Sequence, residues 1–596
     1  MADSPEKNSE GVIKLTIYSE GSKLKDSIKI VSIEVDKAIN LIPVARITVL
    51  DGDMPNKNFP VSDTNDFEPG NIIKIAAGYK DDEKTIFEGV VVKHNLKITG
   101  DNYSRLYIEC RDQAMAMAIG RKNANYIDVK DSAIFTKLVG NYSGLSVSTD
   151  DTNTVHGEIV QYYCSDWDFL ISRAEVNGLI VIVDDSDVSV KAPDVAGNPV
   201  LKVTYGQDLM EFHAEIDARN QYSKVSGVSW DPSQLKVVEQ VAAIEALNDQ
   251  GNFKAADLAK VSKLDQLKLQ TPVKMETSAL KDWARSQQIK SALAKVTGRM
   301  KFQGSAEAKV GTTIELLGVG DRFSGMVFVS GVKHTIEEGD WLTEVDFGLS
   351  PAWFAEKRDI VAPSASGLLP GVEGLHIGIV AQLDEDPEGQ NRVKVNVPVL
   401  QAETEGVWAR LCNYYASNGF GEFFVPEIGD EVILGYLNND PSHPVILGSL
   451  YSSQHSPPYP LSADNFIKAI VTKSKLKVEF DDDNKVITIV TPGENKIIIS
   501  DKDKSIVVQD QTNNKIELSP SGIKIESPKD IAISADGKIT LDAKGEIALT
   551  AKADLKASGL NIVHNANVGL TAKGGASAEL SAGGTTTVKG AMVMIN

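Results

Sequence analysis

Side chains able to do chemistry are sparse along these 596 residues, and they do not gather. The eight histidines stand 12 or more residues apart, so no local motif can hold a metal ion. No HExxH, GxSxG or GxxxxGK(S/T) occurs. The carboxylate run Asp481-Asp482-Asp483 reads as a solvated turn, not as the acid and base of a glycosidase. Cys110, Cys164 and Cys412 form neither a CxxC nor a disulfide framework, as expected in a reducing compartment. The expectation is a chain with no catalytic residue and no cofactor.

The elements that would carry such residues are set by composition. With 42% apolar and 24% charged residues the chain is globular rather than disordered. Its length allows several domains. No apolar run is long enough to cross a membrane as a helix. The opening MADSPEKNSE is polar, so no signal peptide is expected. The net charge of −21 argues against nucleic acid as a partner. All of that charge lies before residue 461, because 461–596 carries 17 Lys, no Arg and 17 acidic residues.

The same tail has no aromatic residue after Phe480, so it lacks the large side chains of an ordinary core. Its apolar residues come in pairs two apart, the spacing that puts both on one face of a strand. The pairs include Val478/Phe480, Ile487/Ile489, Ile497/Ile499, Ile516/Leu518 and Ile523/Ile525. Ile531/Ile533, Ile539/Leu541, Ile547/Leu549, Leu560/Ile562 and Val568/Leu570 come next, and these ten residues are the expected needle core. The offset starts at nine or ten residues and settles to eight, with turn residues such as Asp536-Gly537 and Lys544-Gly545 between pairs. One unit buries too little to stand alone, so units must stack. A single-chain β-helix and a three-chain prism both satisfy this, and the narrow eight-residue period favours the trimer. Val588, Ala591, Met592, Val593, Met594, Ile595 and Asn596 are apolar apart from Asn596 and are the expected docking site for a capping protein. His564 shares strand parity with Ile562, so three copies could face an axis and hold an ion. Asn565-Ala566-Asn567 reads as a turn that leaves it in solvent. It is the single weak metal candidate in a chain expected to have no metal site.

Residues 11–110 read as mostly β. A faint duplication sets Gly70-Asn71-Ile72-Ile73, Phe87-Glu88-Gly89 and Val92-Lys93-His94 against Gly311-Thr312-Thr313-Ile314, Phe323-Ser324-Gly325 and Val332-Lys333-His334. Two such modules in each of three chains would form a pseudo-sixfold face. Glu276–Arg299 reads as a helix, and 234–268, broken near Asn248-Asp249-Gln250-Gly251, as an insertion of undetermined conformation. Pro/Ser/Gly-rich stretches at 362–371 and 455–460 mark linkers.

Three segments carry a family resemblance. Residues 161–175, QYYCSDWDFLISRAE, resemble the signature helix of VgrG and phage tail hub proteins. The module at 372–451 resembles the OB fold of VgrG spikes through Gly378-Ile379-Val380, Asp386-Pro387-Glu388-Gly389-Gln390-Asn391-Arg392-Val393, Val407-Trp408-Ala409-Arg410, Pro426-Glu427-Ile428-Gly429-Asp430-Glu431-Val432 and Asp440-Pro441-Ser442-His443-Pro444. The octads resemble the triple-stranded β-helix needle that comes after this module in the family. The resemblance implies a mainly β homotrimer: a phage-tail-hub-like base at 1–360 with two similar β-barrels and α/β insertions, a linker at 361–371, the OB module at 372–455 and the needle at 456–596. It implies a membrane-puncturing spike of a type VI or other contractile injection system, made in the cytoplasm and then secreted or injected. Its partners would be a hexameric Hcp-like inner tube, baseplate proteins, a PAAR-like tip protein and effectors. The alternatives are a spike of a phage tail or extracellular contractile particle, and a peptidoglycan-degrading tail enzyme with an unrecognised active site.

Overall fold

The computed structural model describes residues 2–595 apart from 9–10, 81, 101–102, 246, 248–249 and 401–405. The chain divides into two compact units, 1–450 and 451–596.

In the first unit, alternating strands find partners far away in sequence. Thirteen strands between Ile13 and Phe347 join into one sheet. Its first half includes Ile30–Ala38, Val44–Leu50, Ile72–Tyr79, Asp82–Ile98 and Ser104–Arg111. Ile33, Val35, Ile47, Phe87 and Leu106 fill the core there. The second half includes Val296–Gln303, Thr313–Leu317, Gly325–Glu337 and Asp340–Phe347, packed around Met300, Phe302, Ile314 and Val345. The halves fuse where Ile30–Ala38 runs antiparallel to Gly325–Glu337, with Val35 opposite His334. Trp341 crosses over to complete the first core and stacks on Tyr79 at 5.5 Å.

The two halves repeat one closure. Gly70 N–H donates to Val91 O and Val91 N–H to Asn71 O, both at 2.9 Å; Gly311 N–H donates to Val329 O at 2.8 Å and Val329 N–H to Thr312 O at 2.9 Å. A bulge comes after each, between Val91 and Lys93 and between Val329 and Gly331. Gly70 and Gly311 sit at φ +107° and +77°, a conformation only glycine adopts without strain. Of the three matches read from sequence, only the glycine one is in structural register. The bulges make Val92-Lys93-His94 equivalent to Ser330-Gly331-Val332, two residues before Val332-Lys333-His334. A shift of two keeps every side chain on its face, so the letters could drift along the strand at no cost in burial.

Between the halves lie α1 (Asp131–Gly140) and α2 (Asp166–Val176), packed on the sheet of Ile180–Asp184, Asp187–Lys191 and Ser146–Thr149. The 161–175 motif is only partly helical. Gln161–Cys164 ends strand Val155–Cys164, and the helix starts where the Ser165 hydroxyl accepts Asp168 N–H at 3.0 Å. The stretch 234–268 supplies strand Lys236–Ala243, the single helical turn α3 (Ala255–Leu258) and the start of strand Leu267–Thr271. Of its expected break, Asn248 and Asp249 lie outside the described residues. The helix expected over 276–299 is α4, Thr277–Leu293. Val296 onward pairs instead with Ile216 as a strand, because β-branched Val296 and Thr297 suit a ladder better than another helical turn. Gly227 lets α4 pack closely on its sheet, since a Cβ there would lie 2.7 Å from Leu280 O.

Residues 376–449 close a five-stranded barrel on Val380, Val395, Ala409, Val432, Leu434 and Ile446. The stretch before it, expected as a linker, is docked on the barrel: Ala365 is buried and Val372 N–H donates to Asn439 O at 2.8 Å. In the second unit, Ile467–Val471, Lys477–Asp481, Val486–Val490, Lys496–Ser500, Ser505–Gln509, Lys515–Ser519 and Gly522–Glu526 form an antiparallel meander. Among the described residues, none after Glu526 belongs to a ladder.

Candidate functional site

The candidate chemical groups of the first unit prove to be braces. Asp131, buried at the start of α1, accepts from Arg173 Nε and Nη2 and from His156 Nε2, each at 2.8 Å, and from Asn177 at 2.9 Å. Burial alone would raise its pKa; His156, Arg173 and Asn177 outweigh that and hold the carboxyl well below the usual range. Asp166 is tied by Gln161, Lys122 and Tyr142, and Glu175 by Lys290 and Phe354 N–H. The polar residues of the 161–175 motif therefore join elements. Burial pushes the Cys110 thiol up to about 12, so it stays protonated. Ser62 and His94 are 2.7 Å apart, but Asp51 engages the Ser62 backbone N–H rather than the imidazole, whose Nδ1 faces Phe67 O. The pair closes the 51–67 loop against its strand.

The barrel at 376–449 presents two features. The DPEGQNR run is a turn built on Asp386, which accepts backbone N–H groups of Glu388, Gln390 and Arg392 and the Arg392 guanidinium at 2.6 Å. That guanidinium and those amides hold the Asp386 carboxyl well below the usual range. Beyond Arg410, a hairpin with strands Ala416–Ser417 and Phe420–Gly421 leaves Tyr414, Tyr415, Phe420, Phe423 and Phe424 exposed. So many bare aromatics on one loop mark a contact surface.

The meander places its apolar pairs opposite one another. Phe480 faces Ile487, Ile487 faces Ile499, Ile499 faces Ile506, Ile506 faces Leu518 and Leu518 faces Ile523. Val478, Ile489, Ile497, Val508, Ile516 and Ile525 form the second row. The opposite face carries ion pairs such as Lys477–Glu479 and Lys515–Glu517. Among the described residues nothing covers the apolar face, and its side chains stay exposed apart from the half-buried Val478. The Ile506/Val508 rung is not among the pairs expected from sequence, although its offsets of nine and ten residues repeat those of the pairs before it.

After Glu526 the chain is extended and bends at 528–529, 536–537, 544–545, 552–553, 560, 567–568, 575–576, 583–584 and 591–592. Counted back from each following bend, the fifth and third residues are Ile523/Ile525, Ile531/Ile533, Ile539/Leu541, Ile547/Leu549, Leu555/Ala557, Ile562/His564, Leu570/Ala572, Ala578/Leu580 and Thr586/Val588. The first rung lies on the apolar face of the meander. Ile531, Ile539, Ile547 and Ile562 are equivalent in exposure, at 56, 52, 50 and 52%. Leu560 and Val568, expected in the core, are fully exposed at bends. One residue fewer separates 552–553 from 567–568 than two full octads require, and a one-residue slip takes a side chain off its face. Val588 stands on the rung register, Ala591 and Met592 at the last bend, and Val593, Met594 and Ile595 beyond it, all exposed. Asn596 lies outside the described residues.

A family model described as the Alg8 N-terminal domain matches residues 9–338, more than half of the chain. The chain belongs to the Alg8 N-terminal domain family. In this Alg8-family chain, a second model, the type VI secretion system/phage-baseplate injector OB domain, matches 376–451, the barrel described above. Curated relatives include the actin cross-linking toxin VgrG1 of Vibrio cholerae, 34% identical over 103 residues, or 15% of this chain and 9% of that protein. The type VI secretion system spike protein VgrG4b of Pseudomonas aeruginosa is 37% identical over 57 residues, 10% of this chain and 7% of that protein. The matches span about a tenth of those relatives' length. A prophage MuSo2 tail protein from Shewanella oneidensis aligns over 57% of this chain and 98% of its own, at 10% identity and TM-score 0.43. An E. coli type VI secretion component aligns over 73% and 99%, at 13% identity and TM-score 0.38. The resemblance to VgrG-type spikes read from the sequence is borne out by the curated relatives and the injector OB match.

Proposed function

We propose that this chain is the homotrimeric puncturing spike of a contractile injection system. The observation that carries the reading is the uncovered apolar face of 478–525 and its continuation through the octads. Among the described residues from 530 to 595, no backbone hydrogen bond is made within the chain. Extended backbone and aliphatic rows left in water are both costly, and both are satisfied when copies of the chain wind together. Three copies give each strand two neighbours and close the tube without an edge. Such a needle acts by stiffness, because opening one strand breaks its neighbours' ladders.

In this reading the base docks on a hexameric Hcp-like inner tube and meets baseplate proteins. Residues 588–596 hold a PAAR-like tip protein, and effectors travel with it. The protein is no enzyme. It is held in the cytoplasm and leaves when the machine fires; no helix among the described residues is long and apolar enough to cross a membrane. The names of the curated relatives, type VI secretion system spike proteins, support this class of machine. Sedimentation of the purified chain tests the assembly: a trimer at micromolar concentration is expected, and a monomer rejects the needle. Removing 588–596 should leave the trimer intact and abolish capture of a PAAR-like protein, whereas undiminished capture rejects the docking role.

A further inference from the structure

We propose that His564 is a metal ligand, and that three copies on the needle axis hold one divalent transition-metal ion; this rests on the trimeric reading above. The bends decide where His564 stands. It lies three residues before the bend at 567–568, as Ile533 does before 536, Leu541 before 544 and Leu549 before 552. The turn expected at Asn565-Ala566-Asn567 does not interrupt it, because the bend begins only at 567. Ile562, two residues before it, is exposed to the same degree as Ile531, Ile539 and Ile547. His564 is the only titratable side chain on the nine rungs.

The rungs on either side add a second observation. At the same third-from-bend place they carry Ala557 and Ala572, whereas Ile, Leu or Val fills that place on every other rung. An imidazole thus replaces an aliphatic side chain, with the smallest apolar residue above and below it. An imidazole buried among aliphatics needs partners for its ring nitrogens. In a threefold tube each chain offers one nitrogen lone pair toward the axis. Three imidazoles with space for a further ligand suit a zinc-like ion, and nitrogen donors select the later first-row metals over Mg²⁺ or Ca²⁺. No ligand other than His564 is required from the chain.

The test uses the full-length protein, stripped with EDTA and reloaded with Zn²⁺ or Co²⁺, followed by sedimentation and metal analysis after desalting. The expected result is a trimer with one ion per three chains and, for Co²⁺, a visible absorption band distinct from aqueous Co²⁺. His564→Leu, which restores the common rung residue, should remain a trimer, lose that ion and that band, and melt alike with and without EDTA. The wild-type tail should melt lower in EDTA. If His564→Leu fails to fold, the wild-type stoichiometry and Co²⁺ band still decide. A wild-type trimer that retains no stoichiometric ion overturns the site and leaves the needle standing. A wild-type monomer overturns the needle and the site together.

Discussion

The base and the tail are both built from short alternating strands, yet they treat the same side chains in opposite ways. In the base, Ile33, Val35 and Ile47 are sealed between strands far apart in sequence, and Trp341, Phe87 and Phe302 fill the space between. In the tail, Ile531, Ile539 and Ile547 stay half exposed on extended chain that pairs with no other segment among the described residues. The difference lies in the connections between strands. Long connections let the base fold back over its own apolar face, whereas turns of two to five residues hold the meander to one layer, and the octads lack even that. A single layer buries one face only when something else covers it. The base is therefore expected to be stable as one chain, and the tail only as an assembly.

The sharpest way to break this contrast is Ile547→Lys. In the proposed trimer it sets three charges on the apolar register and should cost upwards of about 6 kcal/mol per trimer, at about 2 kcal/mol or more for each Lys. The loss should appear as a concentration-dependent fall in the tail's melting, with the base transition unmoved. An unchanged tail would falsify the inward assignment. Phe302→Ala probes the other side. Emptying its fully buried site should cost about 3–5 kcal/mol and lower the base transition equally at every protein concentration.

The next effect depends on pH. Burial, with Lys37 nearby, lowers the His334 pKa to about 3, and its Nδ1 lies 3.0 Å from Thr343 Oγ1. The unfolded imidazole takes a proton near pH 6.5, so the unfolded state binds more protons between there and about 3. This contribution is fully present above pH 6.5 and is lost as pH falls, by about 2 kcal/mol at pH 5. Denaturant titrations should show His334→Gln with a flatter profile across that window. The smallest expected change is Ser165→Ala. Losing the cap on Asp168 N–H should cost about 1 kcal/mol in the base alone, read as a small shift in its denaturation midpoint.

Part of this was legible from spacing. The octad period, the turn residues between rungs and the aliphatic pairs are local, and bends fall at Asp536-Gly537 and Lys544-Gly545 as those residues suggested. The injector-module motif was legible too, because the turn on Asp386 is built from consecutive residues. The errors came where a single residue changes parity. Leu560 and Val568 look like core by type, yet one missing residue places them at bends. The helix expected to run to Arg299 ends at Leu293, since Val296 has a strand partner 80 residues earlier. The roles of Asp131, Asp166 and Glu175 were invisible, because their partners come from other elements.

The sequence alone determined which residues alternate, where the chain turns and that the last hundred residues cannot make a core by themselves, since these depend on side-chain type and near-neighbour spacing. Only the tertiary structure decided that the two halves of the base share one sheet through Ile30–Ala38 and Gly325–Glu337, which letters drift in register, and that Leu560 and Val568 stand at bends. Those outcomes depend on which distant backbone groups satisfy each other's hydrogen bonds, and on a count from bend to bend that composition does not reveal.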